Sequence, residues 1–234
     1  MRVAAVADIH SRSFHETALE ELFNSIKNNA DILLLPGDLT DNGQPAEIEM
    51  LLQYLEPLIM PVIAVLGNHD HENGKAPEIQ QLLEDNEVYV LNGTAVELDG
   101  VGFVGTKGFA GGFHSTMVQP FGENALKAFI QTGIDEAMAL ENAVAKLHCE
   151  KKVAVLHYSP IPDTLVGEPL QLYPFLGSSR LESALERQRV DFIVHGHAHH
   201  GSPEGYTRGE IPVYNVSRFV QKAHLDRWYC TVDI

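Results

Sequence analysis

The sequence predicts an α/β protein built on a parallel sheet with helices on both faces. Short apolar runs alternate with stretches of helical periodicity through the first 86 residues, giving strand, helix, strand, helix, strand, helix. The runs are continuously apolar rather than alternating, as in strands covered on both faces. Several of them end abruptly in Asp, Asn or His, which places those side chains along one edge of a parallel sheet.

The elements follow in order. Val3 to Ala7 is the first strand, ending in Asp8-Ile9-His10. Ala18, Leu19, Leu22, Phe23 and Ile26 form the apolar face of a helix within residues 15–30. Ile32 to Leu35 is a strand ending in Gly37-Asp38-Leu39-Thr40-Asp41. Pro45 starts a helix with Ile48, Leu51, Leu52 and Leu55 on one face, and Pro57 stops it. Val62 to Leu66 leads into Gly67-Asn68-His69-Asp70, and a short helix spans residues 77–86. Strands are expected at Val88 to Leu91, Ala95 to Leu98 and Val101 to Val104, the last two joined by the Asp99-Gly100 hairpin signal.

Gly105 to Gly122, rich in glycine and aromatics, reads as a mobile loop, either a substrate lid or a disordered connector. A long helix is expected over residues 123–148, then a strand from Val153 to Leu156 ending in His157. Pro160, Pro162, Pro169 and Pro174 predict no regular structure between Tyr158 and Gly177. Leu181 and Leu185 mark a helix leading to the run Val190 to Val194, which ends in His195-Gly196-His197-Ala198-His199-His200. Ile211 to Val216 and Trp228 to Val232 read as final strands. No composition shift divides the chain, so a single domain over residues 1–234 is expected, with a loop and helix insertion at about 105–148.

Composition narrows the function. No apolar run approaches the roughly 20 residues of a membrane span, and no signal-peptide pattern precedes the first strand, which predicts a cytoplasmic protein without a membrane partner. Cys149 and Cys230 lie far apart, against a disulfide framework or thiolate zinc site. A net charge of −16 argues against binding long nucleic acid, but not against a small phosphorylated substrate at a cationic centre.

Five strand ends deliver Asp8 and His10, Asp38, Asn68 and His69, His157, and His197 with His199. Carboxylate, amide and imidazole without thiolate suit divalent manganese, iron or zinc. Seven candidate ligands exceed the need of one ion, and if Asp38 bridges they divide into two sets of four. Two ions about 3.5 to 4 Å apart hold a hydroxide and clamp phosphoryl oxygens, so phosphoester hydrolysis is the natural chemistry. His69, with Asp70 as a candidate orienting partner, is placed either to protonate the leaving alcohol or to stabilise the transition state. His71, His195 and His200 flank these motifs without an assignable role.

With Asp8-Ile9-His10, Gly37-Asp38, Gly67-Asn68-His69-Asp70, His157 and Gly196-His197-Ala198-His199 all present in order, the chain resembles the calcineurin-like metallophosphoesterases. The resemblance implies a four-layer α-β-β-α sandwich with two mixed sheets packed face to face and a dinuclear site between their strand ends. It implies that Asp8, His10, Asp38 and His199 hold one ion, that Asp38, Asn68, His157 and His197 hold the other, and that His69 is the catalytic histidine. Asp41 and His114 are candidate substrate contacts. The Gly37-Asp38-Leu39-Thr40-Asp41 stretch looks like the cyclic-nucleotide phosphodiesterase branch, the alternative activity. The alternative from another class is a scaffold retaining the fold without chemistry; such proteins lose ligands, above all the catalytic histidine, and here all are kept.

Overall fold

The computed structural model describes residues 1–234. In chain order the elements are β1 (Arg2–Ala5), α1 (Thr17–Ile26), β2 (Ile32–Pro36), α2 (Pro45–Leu55), β3 (Val62–Val65), α3 (Ala76–Asp85) and β4 (Val88–Val90). Then come β5 (Thr94–Leu98), β6 (Val101–Thr106), α4 (Asn124–Val144), β7 (Lys151–Leu156), α5 (Tyr173–Leu176) and α6 (Ser179–Glu186). The chain closes with β8 (Phe192–His195), β9 (Glu204–Tyr206), β10 (Pro212–Asn215), α7 (Arg218–Leu225) and β11 (Cys230–Asp233). Two sheets result, ordered β11-β1-β2-β3-β4 and β5-β6-β7-β8-β10-β9. β1 to β4 run parallel with β11 antiparallel at one edge. In the second sheet β6, β7, β8 and β10 are parallel, and antiparallel β5 and β9 form the edges.

Side-chain alternation along fully buried strands explains the layering. Val3, Ala5, Ile32, Leu34, Ile63 and Val65 meet Val101, Phe103, Val153, Val155, Phe192 and Val194 between the sheets. Their alternate neighbours face outward. Ala4, Leu33, Leu35 and Ala64 bury Leu19, Leu22, Phe23, Ile48, Leu51 and Ile79 of α1 to α3. Val104, Ala154, Leu156 and Ile193 bury Ala137, Leu140, Val144, Leu181 and Leu185 of α4 and α6. Each fully buried aliphatic side chain is worth about 1.5–3 kcal/mol, so three such layers hold the strand ends rigidly in place. The fold is therefore the four-layer α-β-β-α sandwich.

Several expectations need correction. β1 stops at Ala5, not Ala7, because the chain changes partners: Val6 N–H still reaches Leu34 O, but Ala7 N–H bonds Val216 O beyond the second sheet. The proline-rich segment carries regular turns after all: 3₁₀ turns at Asp163–Leu165 and Leu170–Leu172, then α5. Pro174 sits in the first turn of α5, where no backbone N–H is needed. The glycine-rich loop is docked rather than free. Gly111 and Gly112 donate to Pro174 O and Gly177 O, and Phe113 is buried against Leu165, Leu176 and Ala198. Helix α7 and strand β9 had no expected counterpart; α7 buries only Val220 and Gln221, too few positions to give a periodic signal.

Candidate metal centre

The C-terminal ends of β1, β2 and β3 meet those of β7 and β8 across the gap between the sheets. Tight turns there force side chains inward. Asp8, His10, Asp38 and His197 take the left-handed conformation, with φ of 59°, 47°, 50° and 69°. For residues with a Cβ this costs of order 1–3 kcal/mol each, and such strain persists where the surroundings impose it. Gly37 and Gly67 make the approach possible. A Cβ on Gly67 would lie 2.1 Å from Asp38 Oδ1, and one on Gly37 would lie 2.4 Å from His157 Nδ1.

Two groups of ligand-type side chains converge and share one member. Asp8, His10, Asp38 and His199 form the first, and Asp38, His157 and His197 the second. His199 Nε2 is 3.6 Å from Asp8 Oδ1, and His10 Nε2 is 4.0 Å from Asp38 Oδ2. His157 Nε2 is 3.3 Å from Asp38 Oδ1 and 2.9 Å from Asn68 Oδ1, which adds the amide to the second group. The structure thus brings Asp8, His10, Asp38 and His199 together on one side, and Asp38, Asn68, His157 and His197 on the other.

The donor chemistry fits cations. His157 Nδ1 lies 3.0 Å from Pro36 O, so that nitrogen carries the proton and donates. Burial holds His157 well below the usual imidazole range, hence neutral, and Nε2 presents a bare lone pair. It faces a carboxylate oxygen and an amide oxygen. Three acceptors pointing at one another are reconciled by a positive ion. Both ring nitrogens of His10 are buried without a hydrogen-bond partner, a further orphan in the same place. Burial, then the charges of Asp8 and Asp70, push the Asp38 carboxyl well above its ordinary range, which a bound cation would reverse. Asp8 is raised by burial, but its hydrogen bond and charge interaction with His199, reinforced by His157, outweigh this and hold it low. His197 N–H also donates to both Asp8 oxygens, at 3.0 and 3.2 Å.

His69 lies beside this cluster, its N–H donating to Asp38 Oδ1 at 2.9 Å and its ring 4.6 Å from that of His10. Its orienting partner is not Asp70. The ring Nδ1 lies 2.7 Å from Asp41 O, so Nδ1–H donates there and Nε2 is directed elsewhere. Asp70 is instead a buried clasp between two loops. Its carboxylate accepts from Gly67 N–H, Thr40 N–H, Thr40 Oγ–H and Leu39 N–H at 2.7 to 3.2 Å. Asp41 sits behind His10, its Oδ1 3.7 Å from Nδ1, while Arg12 Nε donates to its other oxygen at 3.2 Å. His10, Asp41 and His69 form a third convergent group.

The remaining histidines separate cleanly. His114 is held by Ser179 and Glu182 of α6 and by Arg208. His195 is buried and structural: Nδ1 donates to Gly196 O, and Nε2 accepts from Thr164 Oγ–H. His200 is exposed beside Glu168. His71 borders a cavity of about 250 Å³ with Lys107, Asn92 and Gln80. Sequence reasoning missed Tyr158, whose ring lies 4.4 Å from His197 and whose hydroxyl is pushed up to about 12 by burial and then the charges of Asp38 and Glu136. Its place directly after His157 was the available signal. Arg218 and Phe219 of α7 were also missed, because that helix had none.

A two-sheet sandwich with paired cation-ligand groups at its strand ends defines a class of metal-dependent phosphoester hydrolases. The chain belongs to the calcineurin-like phosphoesterase family, whose sequence profile matches residues 1–201. It is 22% identical over 216 residues to a probable glycerophosphodiester phosphodiesterase of Arcobacter nitrofigilis, covering 85% of this chain and 72% of that one. It is 35% identical over 80 residues to a probable cyclic nucleotide phosphodiesterase of Synechococcus, an alignment covering 30% of this chain and only 31% of that protein. A putative 5'-nucleotidase from Staphylococcus aureus shares the fold, with TM-score 0.54 and 14% identity over 92% of this chain and 48% of its own. No helix is long and apolar enough to cross a membrane.

Proposed function

We propose that the protein hydrolyses small phosphoesters, phosphodiesters foremost, at a centre of two divalent ions held by Asp8, His10, Asp38 and His199 on one side and Asp38, Asn68, His157 and His197 on the other. The sharing of Asp38 between two ligand groups carries this reading. Manganese, iron or zinc bound there would polarise the phosphoryl group and lower the pKa of the attacking water. The chain's own residues do the rest. Asp38 fixes the spacing of the two groups, and the Asp41 carbonyl accepts from His69 Nδ1–H and turns the ring so that, in the imidazolium form, Nε2–H can pass its proton to the leaving alcohol and leave the neutral ring. Tyr158, kept protonated, walls the second group against His197.

Diesters are favoured over monoesters because the curated relatives are themselves named as probable phosphodiesterases. A cyclic-nucleotide phosphodiesterase is the second reading, favoured by the names of the Synechococcus and Xenorhabdus bovienii proteins. A small phosphorylated substrate, rather than a long nucleic acid, suits the charge of −16. Two free cysteines agree with a cytoplasmic setting. Metal analysis followed by initial rates on aryl monoesters, aryl diesters and cyclic nucleotides tests the proposal. Two equivalents of metal with fastest turnover on diesters is the expected result; turnover independent of added metal would defeat it.

A further inference from the structure

Beside the first ligand group, the surface changes character. Phe219 is 39% exposed, yet its ring centroid lies 4.6 Å from that of His199 and 6.1 Å from that of His10. It is not needed to pack α7, whose buried residues are Val220 and Gln221. The Arg218 guanidinium lies 5.0 Å from the Phe219 centroid, and its Nε is buried without a hydrogen-bond partner. Arg12 donates to Asp41, whose other oxygen is 3.7 Å from His10 Nδ1, and lies 5.9 Å from the centroid of Phe14, a ring 56% exposed. Two arginine–phenylalanine pairs therefore border one side of the centre, on a chain that carries 32 acidic residues against 16 basic ones.

We propose that this rim receives the organic group of the ester and selects a planar aromatic one, with Phe219 as the ring it stacks on. The inference rests on the phosphoester reading above. A phosphoryl group held at His10 and His199 puts its substituent within reach of the ring that touches both. An exposed phenyl group gains most from another flat, polarisable surface, and the neighbouring guanidiniums add attraction for the anionic ester. An alkyl group gains less from the same ring. Aryl esters and nucleotides share this chemistry.

The test uses the manganese-loaded protein and four inhibitors of aryl diester hydrolysis: phenylphosphonate against ethylphosphonate, and adenosine monophosphate against ribose 5-phosphate. Calorimetric titration of the two phosphonates, whose C–P bonds are not cleaved, gives a binding readout independent of turnover. The aromatic member of at least one pair should bind about 5- to 30-fold tighter, and Phe219→Leu should reduce that ratio to within about 2-fold. Discrimination in the phosphonate pair assigns aryl esters, and discrimination confined to the nucleotide pair assigns nucleotides. Equal binding within both pairs, or a ratio unchanged by Phe219→Leu, overturns the rim while leaving the phosphoester reading intact. Failure of all four probes to bind the loaded protein overturns both.

Discussion

The two sheets bring different chemistry to one centre. Strand ends of the first supply Asp8, His10, Asp38 and Asn68, three oxygen donors of which two are carboxylates, and one imidazole; those of the second supply His157, His197 and His199, imidazoles only. Left-handed residues are concentrated on the first side, at Asp8, His10 and Asp38, with His197 alone on the second. Burial lowers His197 to about 4 and holds His157 low as well, so these two rings arrive neutral; His199 alone is raised, through Asp8, despite its burial. Neutral imidazoles cannot offset the buried carboxylates of Asp8, Asp38 and Asp70. The first sheet thus creates a demand for positive charge that the second meets only in part, through His199.

The most severe way to break this comparison is Asp38→Asn, since Asp38 is common to both groups. Metal affinity should fall by more than about 100-fold at both positions together, read by metal analysis after dialysis. Loss of one equivalent alone would mean that the carboxylate is not shared. His69→Ala should leave bound metal near its original content while lowering turnover of an aryl phosphodiester by at least about 100-fold. Unchanged turnover would remove His69 from the chemistry.

Asp41→Asn sharpens the comparison on the first side. It weakens the support behind His10 and should cost about 10-fold in metal affinity, without the loss of both ions expected for Asp38→Asn. Equal losses would erase the distinction between ligand and support.

The smallest effect concerns protons. His10, His195 and His197 are each lowered from 6.5 to about 4, with burial as the leading cause. Between those values the unfolded chain binds protons that the folded, metal-free chain does not. Stability present above about pH 6.5 is therefore lost as the pH falls toward 4. Each group adds a slope of up to about 1.4 kcal/mol per pH unit. His195→Gln should flatten denaturant-derived stability against pH by about one proton; an unaltered slope would show that His195 already titrates normally.

Much of the centre was legible because parallel strands end on one edge, which groups Asp8, Asp38 and Asn68 on the first sheet and His157 and His197 on the second; the expectation of a single sheet edge was wrong, since the five come from two sheets whose edges face each other. The Asp70 assignment failed for a reason sequence adjacency hides. A 3₁₀ turn over His69–His71 sends neighbouring side chains in different directions, one toward Asp41 and the other back to Gly67 and Thr40. His114 looked available within a glycine-rich loop, but backbone pairing to residues 174–177 carries it to α6 instead.

The sequence by itself determined the alternation of strands and helices and the ligand types at each strand end, since periodicity and residue chemistry are local properties. Tertiary structure decided that Asp41 backs His10, that Tyr158 lies against His197, and that α7 brings Phe219 to His199. Those contacts join residues 31 positions apart in the first case, and in the others residues that follow neighbouring strands of the second sheet, β7 and β8 for Tyr158 with His197, and β8 and β10 for His199 with Phe219. Arg218 N–H bonds Ala7 O, fixing α7 beside Asp8, and no local pattern encodes a hydrogen bond across that span of chain.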